Sequence, residues 1–223
     1  MRETDAPSVR SAKRFAVPVF CAAGFAATAY LAANGAAAPF DEHLLVSLRE
    51  AGDITDPIGP VWFEEAARDV TALGGTFFLT LLTLSFAAAF LINASPRLAL
   101  FSVAAVVGAT VMSEGLKALF DRARPALVPH EVSVYSASFP SGHTMMAAAV
   151  FFTLAFALAR EMERRRNRTL LYAIAALMAF LVGASRVYLG VHWPSDVLAG
   201  WFAGIAYAAI AAQIYRALAS EKR

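Results

Sequence analysis

The fold class this sequence predicts is all-α: an integral-membrane bundle of six transmembrane helices. Its 223 residues are 59% hydrophobic with a mean hydropathy of +0.57, whereas a soluble globule is nearer half apolar. The excess is gathered into six runs, each close to the ~20 residues that cross hydrocarbon. Arginine, histidine and aspartate collect at the ends of the later runs. Polar groups there are costly and mark a site.

The net charge of +2 and pI near 8.8 come from arginines flanking apolar runs, so they describe topology. No nucleic-acid motif is present. Cys21 is the single cysteine, which excludes an intramolecular disulfide and a cysteine metal site. Within an apolar run it reads as a small buried hydrophobe.

Residues 1–14 read as a polar cytoplasmic tail, and 15–217 as the six-span domain. The first span, 15–38, is longer than the core of a signal peptide, so it is expected to stay as an anchor despite the small residues Ala36, Ala37 and Ala38. Residues 39–70 form an acidic outer loop. Leu44, Leu45 and Leu48 share a helical face, and Pro57, Gly59 and Pro60 interrupt, which predicts a short interfacial helix, a turn and a second short helix. Further spans follow at 71–92, 98–120, 141–159, 169–188 and 194–217, with a basic loop between the fourth and fifth and a short tail at 218–223. Trp62, Trp193 and Trp201 suit an interfacial belt. There is no internal repeat.

Orientation follows from the basic residues. Thirteen of the nineteen Lys and Arg fall on the side of the termini, which the positive-inside rule makes cytoplasmic. The polar clusters at 117–125, 140–143 and 186–196 then all converge on the outer side.

Within Ser185 to Asp196, Pro194 suits the first position of a helix. Asp196 then falls in the first turn and can reach back to His192, fixing its tautomer and leaving the other nitrogen as nucleophile or base. Arg186 brings a planar fork for an oxyanion. Upstream, Ser141 or its neighbour can cap a helix, Gly142 lets the backbone approach a ligand closely, and His143 sits beside the resulting anion site. Lys117 and Arg124 end another apolar run. Taken singly, Arg124 could anchor at the interface and Lys117 could snorkel. Together, three cations, a helix N-terminus and two histidines suit a tetrahedral phosphate. Glu114, one turn before Lys117, is expected to pair with Lys117 or Arg186. Asp121 and Arg122 are expected to form a local pair or a rim contact, and His43 and His130 to be ordinary loop residues.

Lys117-x6-Arg124-Pro125, Pro140-Ser141-Gly142-His143 and Ser185-Arg186-x5-His192-x3-Asp196 resemble, in order, the three signature motifs of the type 2 phosphatidic acid phosphatase family. The stretch from Arg68 to Gly75 resembles bacterial members. The resemblance implies a lipid phosphatase of the bacterial inner membrane, multi-pass, with its site facing the periplasm. It implies in-line transfer of phosphate to His192 and hydrolysis of the phosphohistidine. Asp196 would orient the imidazole, and His143 would handle the leaving-group and water protons. Lys117, Arg124, Arg186 and backbone N–H groups near Ser141 and Gly142 would hold the phosphate oxygens. No metal or cofactor is expected, because the cations take that part. The partners expected are the bilayer and a membrane lipid substrate, with undecaprenyl diphosphate foremost, beside phosphatidylglycerophosphate, phosphatidic acid and lipid A phosphate. The same motifs would serve a lipid phosphotransferase, or a transporter or binding protein that keeps the residues to hold phosphate. Soluble vanadate-dependent haloperoxidases share the motifs, but six apolar runs oppose that reading.

Overall fold

A computed structural model describes residues 7–133 and 136–220, with side chains from Phe15 onward. Its helices are α1 (Pro7–Ala33), α2 (Ala38–Val46), α3 (Val61–Ala72), α4 (Thr76–Ile92), α5 (Pro96–Phe120), α6 (Gly142–Arg160), α7 (Arg165–Tyr188) and α8 (Pro194–Ser220). Two short antiparallel strands, β1 (Arg49–Glu50) and β2 (Asp53–Pro57), lie between α2 and α3. Five helices are long and apolar enough to cross a membrane. Among the described residues the count rises to six if α3 and α4, bent by 53° at their break, form one broken span.

Several boundaries differ from the sequence reading. Helix α1 begins at Pro7, inside the stretch expected as a tail, and ends at Ala33. Residues 1–6 and 221–223 of the two expected tails lie outside the described residues. The outer loop does contain two short helices, but a β-hairpin joins them where only a turn was expected. Gly52, at φ +98, makes its reversal, a backbone region that only glycine enters freely. The second span begins at Thr76 rather than 71, because α3 stops at a break that carries Gly74 and Gly75. Helix α7 takes in Arg165, Arg166 and Arg168, leaving a shorter basic loop.

Helices α6 and α8 form the centre, with α1 against α8, α7 and α5 against α6, and α3 against α7. Lipid tails are as apolar as leucine, so burial alone does not press these helices together. Small residues that let backbones approach do. A Cβ added to Gly200 would lie 3.0 Å from the Ser141 carbonyl oxygen and 3.0 Å from Thr144 Cβ; one on Gly204 would strike the Met145 carbonyl oxygen. Gly183 leaves room for Trp201, whose indole N–H donates to Ala179 O at 2.8 Å. That tryptophan packs between helices instead of joining the expected belt, whereas Trp62 is exposed. Cys21 is buried, while Phe77, Ile92 and Leu100 face outward.

Because α5 to α8 alternate in direction, the end of α5, the start of α6, the end of α7 and the start of α8 all lie at one end of the bundle. The α2–β-hairpin–α3 segment packs over that end. Its Arg49 donates to Tyr188 O at 3.0 Å, and Asp41 reaches Ser195.

Candidate active site

His192 lies between α7 and α8 and is 1% exposed. The chain turns there through Gly190, at φ +72. A Cβ on that residue would sit 2.7 Å from Pro129 O, so both the conformation and the space require glycine. Helix α8 starts at Pro194 as expected, and Asp196 in its first turn places Oδ2 3.4 Å from His192 Nδ1. The same oxygen accepts the Trp193 N–H at 3.0 Å and the Ser138 hydroxyl at 2.5 Å. On the other side of the ring, Arg124 Nη1 stands 3.0 Å from His192 Nε2. A guanidinium only donates, so Nε2 is the acceptor and the ring proton belongs on Nδ1, facing Asp196. Burial disfavours the imidazolium. Despite the pull of Asp196, and helped by the charges of Arg186 and Arg124, it lowers the His192 pKa to about 4. The ring is neutral at physiological pH.

Arg124 is held by carbonyls: Nε donates to Ser136 O at 2.8 Å, and Nη1 to Val191 O at 2.7 Å. Arg186, 3% exposed at the end of α7, donates from Nη1 to Thr71 Oγ1 at 3.0 Å. Its Nε has no partner among the described residues. Lys117 Nζ contacts Glu114 Oε1 at 3.3 Å and Ser136 Oγ at 3.2 Å, so Glu114 takes one of its two expected partners. Among the described residues, none of Lys117, Arg124 and Arg186 forms an ion pair with a buried carboxylate. Their charge is available to an anion.

His143 follows Gly142 at the start of α6, against the α3–α4 break. A Cβ on Gly74 would be 3.1 Å from His143 O, and one on Gly75 3.9 Å from its Nε2. The ring lies in the combined field of Arg186, His192, Lys117 and Arg124. Gly142 admits Lys117: a Cβ there would be 2.8 Å from Lys117 Nζ. Ser141 occupies the N-cap position, but its side chain makes no cap bond. Instead its hydroxyl accepts from Thr144 Oγ1 at 2.8 Å, and its N–H donates to Asp196 O at 3.0 Å. Ser141 therefore ties α6 to α8. The N–H groups of Gly142 and His143, in the first helical turn, are the orphan donors suited to an anion.

All eight residues singled out from the sequence thus come to one end of the bundle. Four others were missed. Thr71 and Ser138 carry no local signal. Arg122, expected to pair locally or at the rim, instead binds Asp196 Oδ1 at 2.6 Å and Asp41 Oδ2 at 2.9 Å. Asp41 had been counted only as loop charge. Its burial at 0% exposure, in a segment whose sequence reads as acidic, is visible only in three dimensions. His130 contacts Pro125 O at 2.7 Å, and His43 is exposed.

A neutral imidazole among Lys117, Arg124 and Arg186, at one end of a multi-pass bundle, suits a membrane-embedded phosphatase. The family follows from comparison. The PAP2 superfamily model matches residues 96–219, more than half of the chain, and the chain belongs to that superfamily of enzymes that hydrolyse lipid phosphates. It is 35% identical over 147 residues to phosphatidylglycerophosphatase B of Bacillus subtilis, covering 65% of this chain and 71% of that protein. It is 39% identical over 67 residues to the undecaprenyl-diphosphatase of Sulfolobus acidocaldarius, covering 30% of this chain and 28% of that one. The crystal structure of a transmembrane PAP2-type phosphatidylglycerolphosphate phosphatase from Bacillus subtilis superposes with a TM-score of 0.80 at 28% identity, covering 93% of this chain and 98% of that one.

Proposed function

We propose that this enzyme removes phosphate from phosphatidylglycerophosphate through a phosphohistidine on His192. The likeness to the Bacillus subtilis proteins extends over most of the chain and brings that lipid ahead of undecaprenyl diphosphate, the first choice from motifs alone. One observation carries the mechanism: Nε2 accepts from Arg124 while Nδ1 faces Asp196, the tautomer in which Nε2 can attack.

In the first step the Nε2–P bond forms in line as the bond from phosphorus to the lipid oxygen breaks, and His143, protonated as the bound phosphate dianion offsets the surrounding cations, gives that oxygen its proton. Arg124 swings its Nη1 from Nε2 to a phosphate oxygen as the nucleophile engages. Arg186, Lys117 and the Gly142 and His143 N–H groups hold the others. Stabilising this spread charge is most of what a protein contributes to the reaction. In the second step water attacks phosphorus, gives its proton to His143, and releases Nε2. The charge bias supports cytoplasmic termini and a site facing the periplasm of a bacterial inner membrane.

The test is phosphate release by the purified protein in detergent with EDTA, across phosphatidylglycerophosphate, undecaprenyl diphosphate, phosphatidic acid and lipid A, beside His192→Ala. Fastest release from phosphatidylglycerophosphate and an inactive variant are expected. Release from a different lipid overturns the substrate. An active variant overturns the nucleophile, and phosphate appearing only on an added lipid alcohol makes the enzyme a transferase.

A further inference from the structure

We propose that Arg122 and Asp41 are positioning residues for phosphoryl transfer, acting on His192 through Asp196. The inference rests on the reading of His192 as the nucleophile. The cations at this end of the bundle divide into two kinds. Among the described residues, Lys117, Arg124 and Arg186 form no ion pair with a buried carboxylate. Arg122 has two, Asp41 on α2 and Asp196 on α8, each 0% exposed. Its single positive charge is thus outweighed locally and offers little to a phosphate.

What the fork supplies is geometry. Nη1 donates to Asp196 Oδ1 at 2.6 Å and to Ser195 Oγ at 2.8 Å, and Nη2 to Asp41 Oδ2 at 2.9 Å. With Oδ1 fixed, the carboxylate cannot rotate, and Oδ2 is the oxygen presented to His192 Nδ1. The Arg122 carbonyl also accepts the Ser138 N–H at 2.8 Å, and the Ser138 hydroxyl is the donor to Oδ2. Arg122 therefore anchors both oxygens of Asp196, one directly and one through the loop. The guanidinium lies 5.7 Å from the centre of the Trp193 ring, which restricts it.

Asp41 completes the arrangement. It accepts the Ser195 N–H at 2.8 Å and the Ser195 hydroxyl at 2.6 Å, fixing the first turn of α8 to α2. It also takes a share of the Arg122 charge. Without it, the whole cation would bear on Asp196 and oppose the positive charge that develops on His192 during transfer. A buried charge left without its partner is costly, so the two carboxylates and the guanidinium act as one unit. Asp41 thereby links the outer α2–hairpin segment to the nucleophile.

The test is steady-state hydrolysis of phosphatidylglycerophosphate in detergent by wild type, R122Q, R122K, D41N, the double variant D41N/R122Q and H192A, with thermal unfolding of each. R122Q is expected to lower kcat ~10–100-fold and D41N ~3–10-fold, with KM within about threefold. R122K should recover part of the loss, since one ammonium can meet one carboxylate but not both. D41N should add little to R122Q, because it acts through the same group. Wild-type kcat in a folded R122Q overturns the inference, and so does a loss confined to KM, which would make Arg122 a phosphate ligand. If R122Q does not fold, wild-type kcat in D41N overturns it. Turnover by H192A overturns the nucleophile and this inference together, whereas an inactive H192A beside an unimpaired R122Q overturns this inference alone.

Discussion

Replacing Gly142 by alanine should damage the reaction while sparing the fold. Gly142 begins α6 without a positive φ, so alanine strains no backbone there and is the better helix former. The added Cβ would lie 2.8 Å from Lys117 Nζ and 2.9 Å from Lys117 Cε. Ordinary contact begins near 3.4 Å, so the ammonium must withdraw by about 0.6 Å. Lysine is a flexible stem, and Glu114 and Ser136 are at hand to receive it, so the cost to stability should stay below about 1 kcal/mol. The cost to the transition state is larger. Removing a preorganised donor costs about 10²- to 10³-fold in rate, and displacing one by about 1 Å approaches the lower figure. We expect kcat/KM for lipid hydrolysis to fall ~10–100-fold with a melting temperature near that of wild type. Lys117→Ala sets the ceiling, and the double variant should be no slower than Lys117→Ala alone. A wild-type rate for Gly142→Ala, or a double variant whose losses multiply, would refute the reasoning.

Other consequences are as direct. His192 has a pKa of about 4 in the fold against 6.5 for the free side chain, so the unfolded chain binds the extra proton first. Its contribution to stability is complete above pH 6.5 and is lost as pH falls toward 4, about 3 kcal/mol in all, readable from thermal unfolding of wild type against His192→Gln. The same neutral ring should keep kcat/KM free of a His192 limb down to about pH 5. Gly204→Ala forces a methyl onto the Met145 carbonyl between α8 and α6, and should destabilise by about 1–3 kcal/mol. Gly115→Ala on α5 meets nothing within 4 Å and should stabilise by about 0.4–1 kcal/mol. Arg124→Lys keeps the charge but loses the planar guanidinium, whose Nε holds Ser136 O while Nη1 reaches both Val191 O and His192 Nε2, and should lower kcat ~10²-fold with little change in melting temperature.

Helix α6 illustrates what was legible in advance. The Pro-Ser-Gly-His run announced a helix start, which is found at Gly142, and a close backbone approach to a ligand there, whereas the group that packs against Gly142 is the Lys117 side chain. The same reading gave the capping side chain to Ser141 or its neighbour, whereas the Ser141 hydroxyl accepts from Thr144 and its N–H donates to Asp196 O. Local sequence specifies that a helix begins; which partner a hydroxyl takes depends on what another helix brings beside it. Arg122 shows the same limit. Beside Asp121 it reads as half of a local pair, yet its partners lie on α2 and α8. The hairpin between α2 and α3 escaped because its strands are too short and polar to show alternation.

The sequence by itself determined the all-α class, the approximate helix limits and the residues of the three motifs, because hydrocarbon demands long apolar runs and tolerates polar groups only at a site. Only the tertiary structure decided how Asp196 is held, why Arg186 meets Thr71, and which arginine is neutralised by carboxylates. Those contacts join residues far apart in the chain, and no local pattern encodes the approach of one helix to another.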